Sequence, residues 1–221
     1  MEPAHWIQRW QEGRTGFHQN APNQWLERFY PGLELKAGDS IFLPLCGKTV
    51  DLIWLAEQGQ KVLGVELSPI AVEQFFNSNR LSAEQSSSDS GKFTKWESGS
   101  ISLLEGDFFN LTRYDLQDCR AIFDRAALVA LPFEMRQRYV EHLADNIAPD
   151  TKILLVTTDF IQEEKSPPPF AISDAEVHKL YDSRFEVLHL HSEDLSNSRD
   201  PLAKRGVSSL IENVYLCSMR K

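Results

Sequence analysis

Residues 41–66, IFLPLCGKTVDLIWLAEQGQKVLGVE, read as strand, turn, helix, turn, strand. Ile41-Phe42-Leu43 is a short apolar run that stops at Pro44, which has no amide hydrogen to extend a ladder. Val50 to Gln58 places Leu52, Ile53, Leu55 and Ala56 inward at helical spacing, and Gly59 ends it. Lys61 to Glu66 is a second strand carrying Val62, Leu63 and Val65. A helix returning the chain from one strand to the next makes the two strands parallel and buries both faces of the sheet.

The same alternation continues along the chain. Ser68 is placed to cap the next helix, with Pro69 in its first turn and Val72, Phe75 and Phe76 on its inner side. Strands are expected at Ile101–Leu104, at Ala121–Phe123 ending in Asp124-Arg125, and at Ile153–Thr157. A helix is expected over Phe133–Asn146, and another, capped by Ser173, carries Val177, Leu180 and Tyr181. Phe185–Leu190 and Val214–Cys217 are the last strands, with no helix between them, which predicts an antiparallel ending. The expected fold is α/β: a doubly wound, Rossmann-like sheet of about seven mostly parallel strands with the last one reversed, in a single domain spanning 1–221. Residues 82–100 hold seven serines and few apolar groups, and are expected to form a mobile insertion. Residues 1–35 are aromatic and polar. Trp6, Ile7 and Trp10 share a helical face, Gly13 to Gly16 break that helix, and Asn23 can cap a second one carrying Trp25, Leu26 and Phe29. This segment reads as an N-terminal lid rather than core.

Composition narrows the function classes. The hydrophobic share of 42% and charged share of 25% are those of a globular domain. A net charge of −9 repels phosphate backbones, so nucleic acid is not an expected partner, and a monomer is the expected state. No apolar run reaches the roughly 18 residues that a membrane span needs. The start, Met1-Glu2-Pro3-Ala4-His5, has no basic region followed by an apolar core. Cys46, Cys119 and Cys217 form neither a CxxC pair nor a disulfide framework. These features together predict a cytoplasmic protein.

Ligands of such sheets bind beyond the carboxyl ends of the strands. There the sequence places Leu45-Cys46-Gly47, Glu66, Asp107 and Asp124-Arg125. Leu45 and Glu66 stand about twenty residues apart, the usual interval between a nucleotide-binding turn and an acidic ribose ligand. Glu66 is therefore either a ribose ligand or a surface residue at a strand end. The turn has only Gly47 and lacks the two further glycines that let backbone approach a pyrophosphate, which argues against NAD and FAD. A cofactor with a ribose and no phosphate, such as S-adenosylmethionine, does not need them. Gly47-Lys48-Thr49 is not a P-loop, because Phe42 stands where that motif requires glycine. Asp107 is a candidate acceptor for an adenine amino group, or a turn aspartate. Arg125 either pairs with a carboxylate or serves the cleft as an anion ligand, and its place at a strand end favours the cleft. His189 and His191 are expected on the same strand face as a surface pair, and no metal site is expected. Cys46 has no partner histidine in the sequence and is expected to pack as a small side chain.

Several blocks together resemble the thiopurine S-methyltransferases, in their bacterial form. These are WIQRWQEGRTGFH at 6–18, FLPLCGK at 42–48, VLGVELS at 62–68, Ile101 to Leu111, DRAALVA at 124–130, Pro168-Pro169-Phe170, and Glu212 to Leu216. The resemblance runs over almost the whole chain. It implies a class I methyltransferase fold, S-adenosyl-L-methionine as methyl donor, and a small thiol as acceptor, with selenium or tellurium compounds as further candidates. Carried over by position, it implies cofactor contacts at Trp10, Leu45, Glu66, Asp107 and Arg125, and an acceptor contact at Phe17. Arg125 would also face the acceptor and act in catalysis. Arg199 and Arg205 compete for the family's second substrate-side arginine. The expected reaction is in-line displacement by an acceptor that is partly anionic near neutral pH. It therefore needs positioning, exclusion of water and a cation rather than a strong base. Nitrogen methylation is disfavoured, because Asp124-Arg125-Ala126-Ala127 stands where such enzymes often carry an Asn-Pro-Pro-Tyr turn. A binding or resistance protein without catalysis is the alternative from a different class.

Overall fold

Neighbouring residues of a strand point to opposite faces of a sheet, and along this chain each face has its own helices to meet. The computed structural model describes residues 3–15, 18–198, 200 and 202–220. Phe17 and Arg199 lie outside the described residues, as does the side chain of Arg205. Helices α1 (Pro3–Gln11) and α2 (Gln24–Phe29) precede the sheet. Then come β1 (Ser40–Leu43), α3 (Asp51–Glu57), β2 (Lys61–Glu66), α4 (Pro69–Ser78), β3 (Glu84–Ser87), β4 (Thr94–Ser98) and β5 (Ile101–Glu105). The second half holds α5 (Arg113–Leu116), β6 (Cys119–Arg125), α6 (Phe133–Asn146), β7 (Lys152–Phe160), α7 (Asp174–Tyr181), β8 (Phe185–Asp194) and β9 (Leu210–Met219).

The sheet order is β3-β4-β5-β2-β1-β6-β7-β9-β8. Strands β5, β2, β1, β6 and β7 are parallel, and β9 runs antiparallel between β7 and β8, so the last strand is the reversed one, as expected. From β1 the chain builds outward through β2 and β5, then returns to the other side of β1 with β6. The switch point between β1 and β6 opens a crevice beyond their carboxyl ends. One core layer lies under α3 and α4 and contains Ile41, Leu43, Leu52, Leu55, Phe75 and Val156. The other lies under α6 and α7 and contains Phe42, Ile122, Tyr139, Leu143, Tyr181 and Tyr215. Each large apolar side chain fully buried here contributes about 1.5–3 kcal/mol. Gly64 in β2 permits the close fit at the centre: a Cβ there would stand 2.5 Å from Leu103 Cδ2 and 2.8 Å from Cys46 Sγ.

Four expectations need correction. The sheet has nine strands among the described residues rather than about seven, because the serine-rich stretch folds into the antiparallel pair β3–β4, which extends the sheet beyond β5. Strand β3 is exposed throughout, so no apolar alternation announces it. What anchors the hairpin is aromatic: Trp96 stacks on Phe76 at 5.8 Å and donates to Glu105 at 2.9 Å, and Phe93 is buried against Gly106. Second, residues 24–33 are not a lid, since Trp25, Leu26 and Leu33 are buried in the α3–α4 core layer. Third, His189 and His191 do not share a face. A bulge between them puts His189 opposite Tyr215 and His191 opposite Val214, so His189 stacks on Tyr215 while His191 lies tilted against Trp25, each pair with ring centres 4.8 Å apart. Fourth, Ser68 occupies the N-cap of α4 without making a side-chain capping bond. The caps expected of Asn23 and Ser173 are present: Asn23 accepts from the amides of Trp25 and Leu26, and Ser173 accepts from that of Glu176.

Candidate active site

The turn after β1 departs from ordinary backbone at two residues, Leu45 with φ 46° and Gly47 with φ 54°. The first is a strained position for a branched side chain. The second is where glycine is at ease. The turn is tied to β2, as Cys46 N–H donates to Val65 O at 3.0 Å and Gly47 N–H donates to Glu66 Oε2 at 2.8 Å. Ser68 N–H donates to the other carboxylate oxygen, Glu66 Oε1, also at 2.8 Å. Glu66 is only 6% exposed, and burial raises its pKa, while these amides and that of Leu67 counter the shift. It is thus not a surface residue at a strand end. Each oxygen still has a lone pair for a further donor.

These groups line a cavity of about 650 Å³, within the usual range for small-ligand sites. Trp10, Leu45, Glu66, Asp107 and Arg125, gathered from five places in the sequence, all reach its wall. Trp10 is buried, and its ring lies over Gly47, where a Cβ would come within 3.2 Å. Asp107 starts a short 3-10 turn and accepts from Phe109 N–H at 2.9 Å through Oδ1. That is the turn role, and the side chain has its second oxygen beside it. Lys48 donates to Gln74 at 2.9 Å and lies 5.8 Å from the Trp10 ring centre, an arrangement unlike that of a phosphate-binding lysine. Burial and the Glu66 charge raise the Cys46 thiol well above its usual pKa, so the packed, unreactive reading of this cysteine holds. Among the described residues no group of three or more His, Cys, Asp or Glu side chains is placed to hold a metal ion, and no helix is long and apolar enough to cross a membrane.

Strand parity separates Asp124 from Arg125. Asp124 points to the α6–α7 side, where it is fully buried and accepts from Tyr139 OH at 2.7 Å and Leu128 N–H at 3.2 Å. Arg125 is in register with Val156, which in turn pairs with Val214, both members of the α3–α4 layer, and its side chain belongs to the cavity. The electrostatic surroundings of Arg125 were not evident in the sequence. Asp51 and Glu212 are both buried wall residues, and burial raises the pKa of each, while the Arg125 charge pulls both back. Helix α2 fixes this pair: Asn23 N–H donates to Asp51 at 2.7 Å, and Trp25 Nε1–H donates to Glu212. His18, also on the wall, has its pKa lowered by burial first and then by Lys48 and Arg125, which leaves it neutral at pH 7.

Burial raises the Asp124 pKa from 3.8 to about 6. A folded-state pKa above the unfolded value contributes stability that is complete below pH 3.8 and lost as pH rises through about 6. Asp124→Asn carries no such charge. The melting temperature of the variant minus that of the natural chain is therefore expected to increase between pH 4 and pH 6, then to level off. A constant difference over that range, measured by calorimetry, would show that Asp124 titrates normally.

A family model described as Thiopurine S-methyltransferase (TPMT) matches residues 1–220. The chain belongs to the thiopurine S-methyltransferase family. A thiopurine S-methyltransferase of Nitrosospira multiformis is 44% identical over 220 residues, covering 100% of this chain and 99% of that protein. Among solved structures, the 1,6-didemethyltoxoflavin-N1-methyltransferase of Burkholderia thailandensis, with bound S-adenosylhomocysteine, superposes with a TM-score of 0.66 at 13% identity, covering 99% of this chain and 87% of that one. A TehB-like SAM-dependent methyltransferase of Corynebacterium glutamicum superposes at 0.57 and 14% identity, covering 99% and 100%. The structural likenesses establish the class I methyltransferase fold. With family membership they make this member of the thiopurine S-methyltransferase family an S-adenosylmethionine-dependent methyltransferase, as the sequence implied. The donor set suits that cofactor. A buried carboxylate with a free lone pair on each oxygen fits a ribose diol, and a turn with one glycine fits the lack of a pyrophosphate.

Proposed function

We propose that the chain methylates the sulfur of a small aromatic or heterocyclic thiol, with selenium or tellurium compounds as further acceptors. The observation that carries this reading is Arg125 on the wall of a cavity that is also lined by the apolar residues Val129, Ala130, Leu131, Pro168 and Pro169. Such a chamber suits a flat ring bearing an ionisable thiol. In this reading Glu66 holds the ribose hydroxyls, Asp107 accepts from the adenine amino group, and Leu45 and Trp10 cover the cofactor. Helix α1 closes the cavity. S-adenosylmethionine supplies a methyl group on a sulfonium, whose departure needs no acid. The protein's task is then to present the acceptor as an anion in a dry, fixed geometry. A thiol of this kind is partly ionised near neutral pH, its proton passing to solvent, and the Arg125 guanidinium stabilises the thiolate. An arginine beside the acceptor also favours a thiolate over a cationic amine.

Incubating the protein with methyl-labelled S-adenosylmethionine and thiophenol, selenophenol or aniline tests the reading. Label is expected on sulfur and selenium and not on nitrogen. Methylated aniline with unmethylated thiophenol would overturn it in favour of nitrogen transfer. Tight cofactor binding without product from any of the three acceptors would favour a binding role.

A further inference from the structure

Arg136 lies in the first turn of α6 and is 4% exposed. The position works against its charge, because the start of a helix carries the positive end of the macrodipole and burial removes the charge from water. It has no place in the cofactor half of the site and does not line the cavity. What compensates it are three contacts with three separate parts of the chain. Nε donates to the carbonyl of Leu131 at 2.7 Å, Nη1 pairs with Glu176 in the first turn of α7, and the guanidinium lies 5.1 Å from the centre of the Phe170 ring. Phe170 N–H in turn donates to Val129 O at 2.7 Å. The parts so joined are residues 129–131 and the prolines ahead of Phe170, all of which line the cavity.

We infer that Arg136 is a positioning residue for the acceptor: with Phe170 and Glu176 it fixes residues 129–131 against Pro168-Pro169 and so sets the width of the slot that receives the acceptor ring. The inference rests on the proposed function for the identity of that ligand, but the wall itself can be examined without it. Glu66, Gly47 and Ser68, which shape the cofactor side, share no hydrogen bond with this group. Loosening it separates the two halves of the site. Lysine keeps the charge but lacks the rigid planar fork whose separate N–H groups, on Nε and Nη1, are aimed at Leu131 O and Glu176.

Arg136→Lys and Glu176→Gln, the second guarding against misfolding of the first, are compared with the natural chain. The expected result is a rise in acceptor KM of about tenfold or more, the scale on which one charge-assisted contact is lost, with S-adenosylmethionine affinity by calorimetry changed less than twofold. The double variant is expected to be no worse than Arg136→Lys, since both act on one contact. Hydrogen exchange supplies a readout that needs no acceptor: the amides of 129–131 and of Phe170 should lose protection in both variants while those of Gly47 and Ser68 keep theirs. Unchanged protection of Phe170, or parallel losses of cofactor and acceptor affinity, would overturn the inference. Failure of the natural chain to methylate thiophenol, with Phe170 deprotected in the variants, would instead count against the proposed function alone.

Discussion

Arg125→Lys is expected to cut kcat/KM for a thiol acceptor about 10- to 100-fold while leaving the melting temperature nearly unchanged, and Arg125→Met to cut it about 10²- to 10³-fold. The separation follows from the surroundings. Lysine retains the positive charge that moderates Asp51 and Glu212, and both acids keep their own donors, Asn23 N–H and Thr49 OH for the first and Trp25 Nε1–H for the second. The fold therefore loses little. What lysine lacks is the flat guanidinium that can meet a developing or settled anion with two parallel N–H groups. A purely structural Arg125 predicts the reverse: a lower melting temperature with activity per folded molecule retained. The partner that such a role first suggests is its neighbour Asp124, yet that side chain points to the other face and is engaged by Tyr139 and Leu128. A pH profile gives a second discrimination. If Arg125 stabilises the thiolate, the natural chain continues to react below the acceptor's solution pKa, and removing the cation moves the rising limb toward higher pH. A stable Arg125 variant with an unshifted profile would leave only the structural role.

Much of the fold is legible in residues 41–66 because every residue there serves local and global structure together. Strand β2 and helix α6 have the bounds that the sequence predicts, Lys61–Glu66 and Phe133–Asn146. The hairpin β3–β4 was hidden for a physical reason: an edge pair can be polar on every residue of one strand, provided one aromatic such as Trp96 anchors the other. The bulge in β8 was hidden because a one-residue slip leaves no trace in composition while reversing which face each later side chain meets. The place of Glu66, Asp107 and Arg125 on the cavity wall is legible because a parallel sheet gathers whatever follows its strands at one edge. Asp51, Glu212 and His18 were harder to see: Asp51 opens α3 eight residues beyond β1, Glu212 lies in the reversed strand β9, His18 precedes the sheet, and only α2, whose cap and first turn donate to Asp51 and Glu212, shows that those two acids serve one wall. Arg136 escaped for another reason. A charged residue in a helix whose pattern is otherwise amphipathic reads as solvated, and only the packing of α7 and Phe170 over it shows that it is buried.

Glu66→Ala is expected to weaken S-adenosylmethionine binding about 5- to 150-fold, from the ~1–3 kcal/mol that accompanies loss of one partner in a buried polar contact. The upper part of that range is the more physical expectation, since the carboxylate has two duties. One is to the proposed ribose diol. The other is to the backbone on both sides of it, the Gly47 amide of the turn after β1 and the Ser68 amide at the start of α4, which both donate to it. Alanine ends both, leaving the amides of Gly47, Ser68 and Leu67 without their acceptor and untying Gly47 from β2, with Leu45 still at positive φ. Glu66→Gln separates the duties. It retains one acceptor oxygen, which can serve one amide, and replaces the other by a donor that faces an N–H. If the anchoring of the turn dominates, glutamine should lose stability and affinity together. If the ribose contact dominates, glutamine should lose affinity with a smaller change in melting temperature. Calorimetry on both folded variants decides. Unchanged affinity in Glu66→Ala would remove Glu66 from the cofactor site. Tighter binding of NADH or ATP than of S-adenosylmethionine by the natural chain would contradict the inference drawn from the single glycine of the turn, because those ligands bring the phosphates that such a turn is not built to approach.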